Sequence, residues 1–80
     1  MILDVDGTQW EQDRYDEYFR HSINNPDVGY DIWFHQTYPD IKVVKYWTGS
    51  TRFIAQIEIK NEEKAVIFLL ENHNDKFKIV

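Results

Sequence analysis

The sequence predicts an α+β domain: one helix packed on an antiparallel sheet of five or six strands. Three observations carry that reading. A helix-capping signature followed by apolar residues at helical spacing lies near the start of the chain. Beyond Pro26 the chain reads as short runs of β-branched and aromatic residues. The polar breaks between those runs are too short for crossovers, so neighbouring strands are expected to be antiparallel. The 80 residues allow one domain, residues 1–80.

Residues 1–5 are apolar with β-branched members and read as a first strand. Asp6-Gly7 breaks it. Thr8-Gln9-Trp10-Glu11 reads as a capping box, with Thr8 accepting from an early amide and Glu11 reaching back to the Thr8 amide. The helix is expected over residues 9–23. Tyr15, Tyr18, Phe19, Ser22 and Ile23 recur at three and four and form its stripe, which Trp10 either extends or leaves. Glu11, Asp13, Asp16 and Glu17 lie mostly off that stripe, in the half where the helix dipole favours negative charge. Asn24-Asn25-Pro26 stops the helix.

The rest reads as strands. Residues 30–38 are aromatic and β-branched, and Pro39-Asp40 ends them. Alternation there places Tyr30, Ile32, Phe34 and Tyr38 opposite Trp33, His35 and Thr37, so part of an aromatic sheet face is expected to stay exposed. Residues 41–47 follow, then a turn at Thr48-Gly49-Ser50. Over residues 52–60, Phe53, Ala55, Ile57 and Ile59 face one way, with Ile54 as the exception. Asn61-Glu62-Glu63 reads as a turn. Residues 65–70 are continuously apolar and read as a central strand covered on both faces. Residues 72–75 turn the chain into a last strand over 76–80.

Composition narrows the function. Without cysteine there is no disulfide and no thiolate metal site. Met1-Ile2-Leu3-Asp4 lacks the basic and long apolar regions of a secretory signal, and the longest apolar run is far too short to span a bilayer. A cytoplasmic protein without membrane association is expected. A net charge of −5 argues against direct binding to nucleic acid or anionic lipid.

The acid is concentrated at one end. Residues 1–40 hold nine acids against two bases, and six of the nine fall within residues 4–17: Asp4, Asp6, Glu11, Asp13, Asp16 and Glu17. Residues 41–80 hold five acids against seven bases. An anionic surface with aromatics among it points to a basic partner, and basic partners are often proteins that bind nucleic acid.

Catalytic patterns are few. Leu3-Asp4-Val5-Asp6-Gly7-Thr8 resembles the first motif of the haloacid dehalogenase-like phosphatases. That resemblance implies a nucleophilic Asp4, an acid/base Asp6 and Mg²⁺, and needs a doubly wound parallel sheet that the element pattern lacks. A strand end, a glycine turn and a helix cap use the same residue types for structural reasons. His21, His35 and His73 show no metal-ligand spacing. No catalytic residue, metal or cofactor is expected.

Residues 30–80 resemble the phage inhibitor family of uracil-DNA glycosylase. The local match is Asp31-Ile32-Trp33-Phe34-His35-Gln36-Thr37-Tyr38, together with Lys64-Ala65-Val66-Ile67-Phe68-Leu69-Leu70, a polar turn and Lys76-Phe77-Lys78-Ile79-Val80. Where that family has Gln-Glu-Ser, this chain has Asp4-Val5-Asp6. The resemblance implies DNA mimicry, with carboxylates in place of phosphates and an apolar cavity between helix and sheet, here involving Tyr15, Phe19, Ile23, Phe34, Ile57 and Ile59.

The functional expectation is therefore a small acidic inhibitor of phage or mobile-element type. It would block a DNA-handling enzyme, with a glycosylase first and a nuclease or CRISPR effector as alternatives. An immunity protein against a nuclease toxin fits the same physics. Asp4, Asp6, Glu11, Asp13, Asp16 and Glu17 would replace phosphates, while Trp10, Tyr15, Phe19 and Phe34 slow dissociation. The other class is a small ligand- or peptide-binding module that uses an aromatic sheet face.

Overall fold

The computed structural model describes residues 1–47 and 53–80. The chain runs β1 (Ile2–Asp4), α1 (Gln9–Ser22), α2 (Tyr30–Thr37), β2 (Ile41–Tyr46), β3 (Ile54–Ile59), α3 (Glu62–Glu71) and β4 (Lys78–Ile79). The strands form one sheet in the order β2-β3-β1-β4, and every neighbouring pair is antiparallel. β1 and β2 thus run parallel with β3 between them, and β3 and β4 run parallel with β1 between them. Two interleaved βαβ units of this kind make the ferredoxin-like topology, here with α2 added to the first crossover. The turn expected at Thr48-Gly49-Ser50 and the start of the strand expected at Arg52 lie outside the described residues.

The α+β class holds, but the element count changes: among the described residues there are three helices and four strands. Residues 30–38 do not form a strand; Tyr30–Thr37 is helical. Its buried residues are Tyr30, Trp33 and Phe34, which share a helical face at i, i+3 and i+4. Strand alternation would set Trp33 against Phe34; a helix sends both into the core. Aromatic propensity for strands is a weak preference that packing overrides.

Residues 65–70 are not a strand either. Asn61 caps α3 by accepting from the Lys64 amide at 3.0 Å, and Glu62 and Glu63 occupy the first turn, where the dipole favours acids. The residues expected to turn the chain instead start the helix. A six-residue apolar run cannot by its own periodicity separate a buried strand from a helix. The last strand shortens to Lys78–Ile79.

Among the described residues all three helices pack on one face of the sheet and none lies on the other. Leu3 and Ile57 are register partners on that face, and both are fully buried. Ile54 joins them although simple alternation would turn it away. Register shifts around Lys45 leave Val44 and Ala55 outside the pairing, which rephases the strand so that Ile54 points inward. Above the sheet, Trp10 of α1 meets Phe34 of α2 edge-on at 6.2 Å and Phe68 of α3 at 5.3 Å. Trp10 therefore belongs to the inward stripe of α1. That stripe continues through Tyr15 and Tyr18, which pack against the core, whereas Phe19 and Ile23 are exposed.

The start of α1 is fixed from two sides. Thr8 Oγ1 accepts from the Glu11 amide at 3.2 Å and donates to the Val5 carbonyl at 2.6 Å. The reciprocal half of the capping box does not form, because the Thr8 amide donates to the Val5 carbonyl. Gly7 makes the tight entry with φ of 73°, a conformation that suits glycine. The Asp75 carboxylate then accepts from the amides of Gln9 at 2.8 Å and Trp10 at 3.0 Å, tying the chain's last turn to its first helix.

Two stability predictions follow from this packing. Trp10→Ala removes the side chain shared by three helices and should cost about 3–5 kcal/mol in urea unfolding. Asp75→Ala leaves two helix-start amides without their carboxylate and should cost about 1–2 kcal/mol, with Asp75→Asn losing less. An Asp75→Ala midpoint equal to the parent's would show that this cap contributes nothing.

Candidate functional site

The six carboxylates of residues 4–17 do not form the single track expected of them. Asp4 lies on the uncovered face of the sheet and accepts from Gln56 Nε2 at 2.9 Å. Asp6 is exposed and accepts from the indole Nε1 of Trp47. Asp13 and Asp16 lie on α1, across the sheet from Asp4, and accept from Gln9 and Gln12 one turn earlier. Glu17 accepts from the Tyr38 hydroxyl at 2.8 and 2.9 Å and pairs with Arg14. The Arg14 guanidinium also lies over the rings of Trp10 and Tyr38, so the charge of Glu17 is balanced within the molecule.

Glu11 departs furthest from expectation, since it is only 6% exposed and points inward beside Asp6 and Ile54. Burial and the nearby Asp6 push its carboxyl above the ordinary value of 4.5, while the Ile54 backbone hydrogen bond pulls the other way. Burial, and secondarily Glu11, holds the Tyr30 hydroxyl in its neutral form. The Tyr38 hydroxyl is pushed up to about 12 by burial and by its bond to Glu17.

The apolar residues expected at the site divide as sharply. Trp10 and Phe34 are core residues that fill the space between the helices and the sheet, where the resemblance implied a cavity. Tyr15 is half-buried and stacks with Tyr30 and Phe53. Phe19 alone of the four is well exposed, at 59%. The aromatic sheet face expected from residues 30–38 is absent, because those residues lie on α2.

Two surfaces escaped the sequence reading. The first is the outer side of α3, where Val66, Ile67 and Leu70 are 50, 52 and 68% exposed. They fall at i, i+1 and i+4, so they share one side of the helix. The exposed Glu62, Glu63 and Glu71 lie at the two ends of this stripe, and Glu62, Glu63, Val66 and Ile67 line a shallow recess of about 410 Å³. The signal was in the sequence. A helix apolar all round needs cover all round, and this domain covers only the side bearing Ala65 and Phe68.

The second surface is a groove of about 470 Å³ on the uncovered sheet face, flanked by Lys45, Lys76 and Lys78 and rimmed by Trp47. Strand alternation predicts its lysines: Phe77 packs inward against Phe68 at 5.2 Å, so Lys76 and Lys78 turn outward together. The phosphatase motif supplies two acids of this groove, Asp4 and Asp6, but the sheet that carries them is antiparallel, not doubly wound.

Among the described residues no group of three or more His, Asp or Glu side chains could hold a metal ion. No helix there is long and apolar enough to cross a membrane. No protein-family model matches the sequence, and no curated protein or solved structure matches it.

The buried Glu11 makes stability depend on pH. The unfolded chain releases the Glu11 proton near the ordinary value, while the folded chain releases it at higher pH. Between the two values the folded state binds more protons, so this carboxyl lowers stability as pH rises. Glu11→Gln removes the titration. Its unfolding free energy relative to the parent should be flat below the ordinary value, grow in the variant's favour as pH rises, and level off above the folded value. Urea midpoints measured across that range test this; a difference that shrinks with rising pH would contradict it.

Proposed function

We propose that this chain is a non-catalytic protein-binding module, a small acidic inhibitor that occupies a basic, DNA-handling enzyme. The observation that carries the reading is the exposed apolar stripe of α3 with glutamates at both ends. Such a stripe supplies the desolvated centre of an interface and its glutamates supply a charged rim. A net charge of −5 steers the encounter toward a basic groove and raises the association rate at low salt.

The mechanism shifts from that expected of residues 4–17. Glu11 and Glu17 are taken up by the fold, so the anchors come from α3 with Glu62, Glu63 and Glu71 beside them, and Asp13 and Asp16 add further surface charge. A glycosylase, a nuclease and a CRISPR effector all offer the required basic groove. Of the three segments that carried the resemblance to the glycosylase inhibitors, residues 31–38 and 64–70 are largely helical here and the last keeps a short strand at Lys78–Ile79, so the exposed stripe of α3 and not that resemblance carries the proposal.

Capture from a bacterial lysate at low and high salt, followed by a DNA competition on the captured protein, tests the reading. Ile67→Lys with Leu70→Lys should reduce capture at least tenfold while the urea midpoint stays near the parent's, since both side chains are exposed. Glu62→Lys with Glu63→Lys should slow association and flatten the salt dependence. Capture that is indifferent to both pairs, or a captured protein that DNA does not displace, would overturn the proposal.

A further inference from the structure

We propose that the groove on the uncovered sheet face binds a nucleoside diphosphate or a small nucleotide of that class, with its phosphates on the lysines and its base on Trp47. This rests on a different surface from the protein-binding reading and stands or falls separately.

A row of register partners spans the groove. Lys45, Gln56, Asp4 and Lys78 lie side by side across all four strands on the face that no helix covers. The outer two come from the two edge strands, so the row sets cations at both ends, about 14 Å apart at the backbone by strand spacing. Lys76 joins Lys78 at one end. All three lysines are exposed, and the two ion pairs among the described residues, Arg14–Glu17 and Lys64–Asp40, involve none of them.

The acids within the groove keep their charge, but each holds a neutral donor, and among the described residues neither pairs with a lysine. Asp4 takes the Gln56 amide and Asp6 takes the Trp47 indole N–H. Three ammoniums, unpaired among the described residues, outnumber the two carboxylates of the groove, so they have hydrogen-bonding capacity to offer an anion at its edges, and a phosphate is the acceptor that several ammoniums can share. A ligand that meets both edges must be longer than one phosphate.

Trp47 identifies the rest of the ligand. The residue is 51% exposed at the groove's rim, and its Nε1 is tied to Asp6, which limits how the indole can turn. An exposed tryptophan beside cations suits a stacked base. The volume of about 470 Å³ falls within the range of small-molecule sites. A continuous nucleic-acid strand fits less well. Glu58 and Asp4 occupy the open face of the two central strands, where a phosphate track would pass, and neither strand presents an aromatic residue there.

Calorimetric titration of the full chain with ADP, adenosine and pyrophosphate, all free of magnesium, tests this. ADP should bind at one site, with adenosine and pyrophosphate each roughly tenfold weaker or worse, because each lacks half of the contacts. Lys45→Ala with Lys78→Ala should weaken ADP at least tenfold, and Lys76→Ala alone, outside any strand, severalfold. Trp47→Ala should weaken ADP severalfold and abolish the ligand-induced change in tryptophan fluorescence, since Trp10 and Trp33 are buried. Unchanged urea midpoints would show that these variants fold. No saturable binding of ADP at millimolar concentration would overturn the proposal. So would pyrophosphate binding as tightly as ADP with no effect of Trp47→Ala, which marks a plain cation patch. An oligothymidylate that binds more tightly than ADP would overturn it in favour of a nucleic-acid surface.

Discussion

The contact between Trp10 and Phe68 governs what this molecule can offer a partner. It joins the first helix to the third across the sheet, and it fixes how α3 is rotated about its axis. Once Phe68 and Ala65 point inward, helical geometry turns Val66, Ile67 and Leu70 outward. The same layer of helices, closed by Trp10 against Phe34, covers one face of the sheet and leaves the other uncovered. Both candidate surfaces are thus consequences of one packing arrangement, and neither needs a special loop.

Charge is distributed differently from its order in the chain. Acids that are neighbours in sequence part company in space, because Asp4 sits on one side of the sheet while α1 lies on the other. Glu17 is matched by Arg14 and Tyr38, and Glu11 is buried at a cost that the fold bears at neutral pH. The acid that remains outward gives the molecule its negative field, while the three lysines of the sheet groove form a local exception. A partner that reads the field and a ligand that reads the exception would use opposite sides of the domain.

How much of this was legible in the sequence follows from what periodicity can distinguish. β1, α1, β2 and β3 were readable because each carries a clear period or a strong break, such as Thr8 before α1 and Pro26 after it. α2 was misread because its aromatics satisfy both a strand's composition and a helix's spacing. Tyr30, Trp33 and Phe34 fit the second pattern better, and that spacing was the available signal. α3 was misread because a continuous apolar run erases the period, although Asn61 followed by two glutamates is a helix start. The burial of Glu11 had no local signal, since its position in the first turn is equally suited to an exposed acid. Asp75 capping a helix more than sixty residues away had none either, because only the fold brings them together. The acidic cluster was visible in composition; that it would be split between two sides of the sheet was not, because that depends on where the helices lie.

The central claim is that the outer side of α3 is where a partner docks. Methyl-region NMR of the chain with its captured partner tests it most directly. The account predicts that the methyl signals of Val66, Ile67 and Leu70 shift or broaden first, while those of the buried Leu3, Ile54 and Ile57 hold still. Perturbation centred on Ile23 and Ile32, with the α3 methyls unmoved, would contradict it.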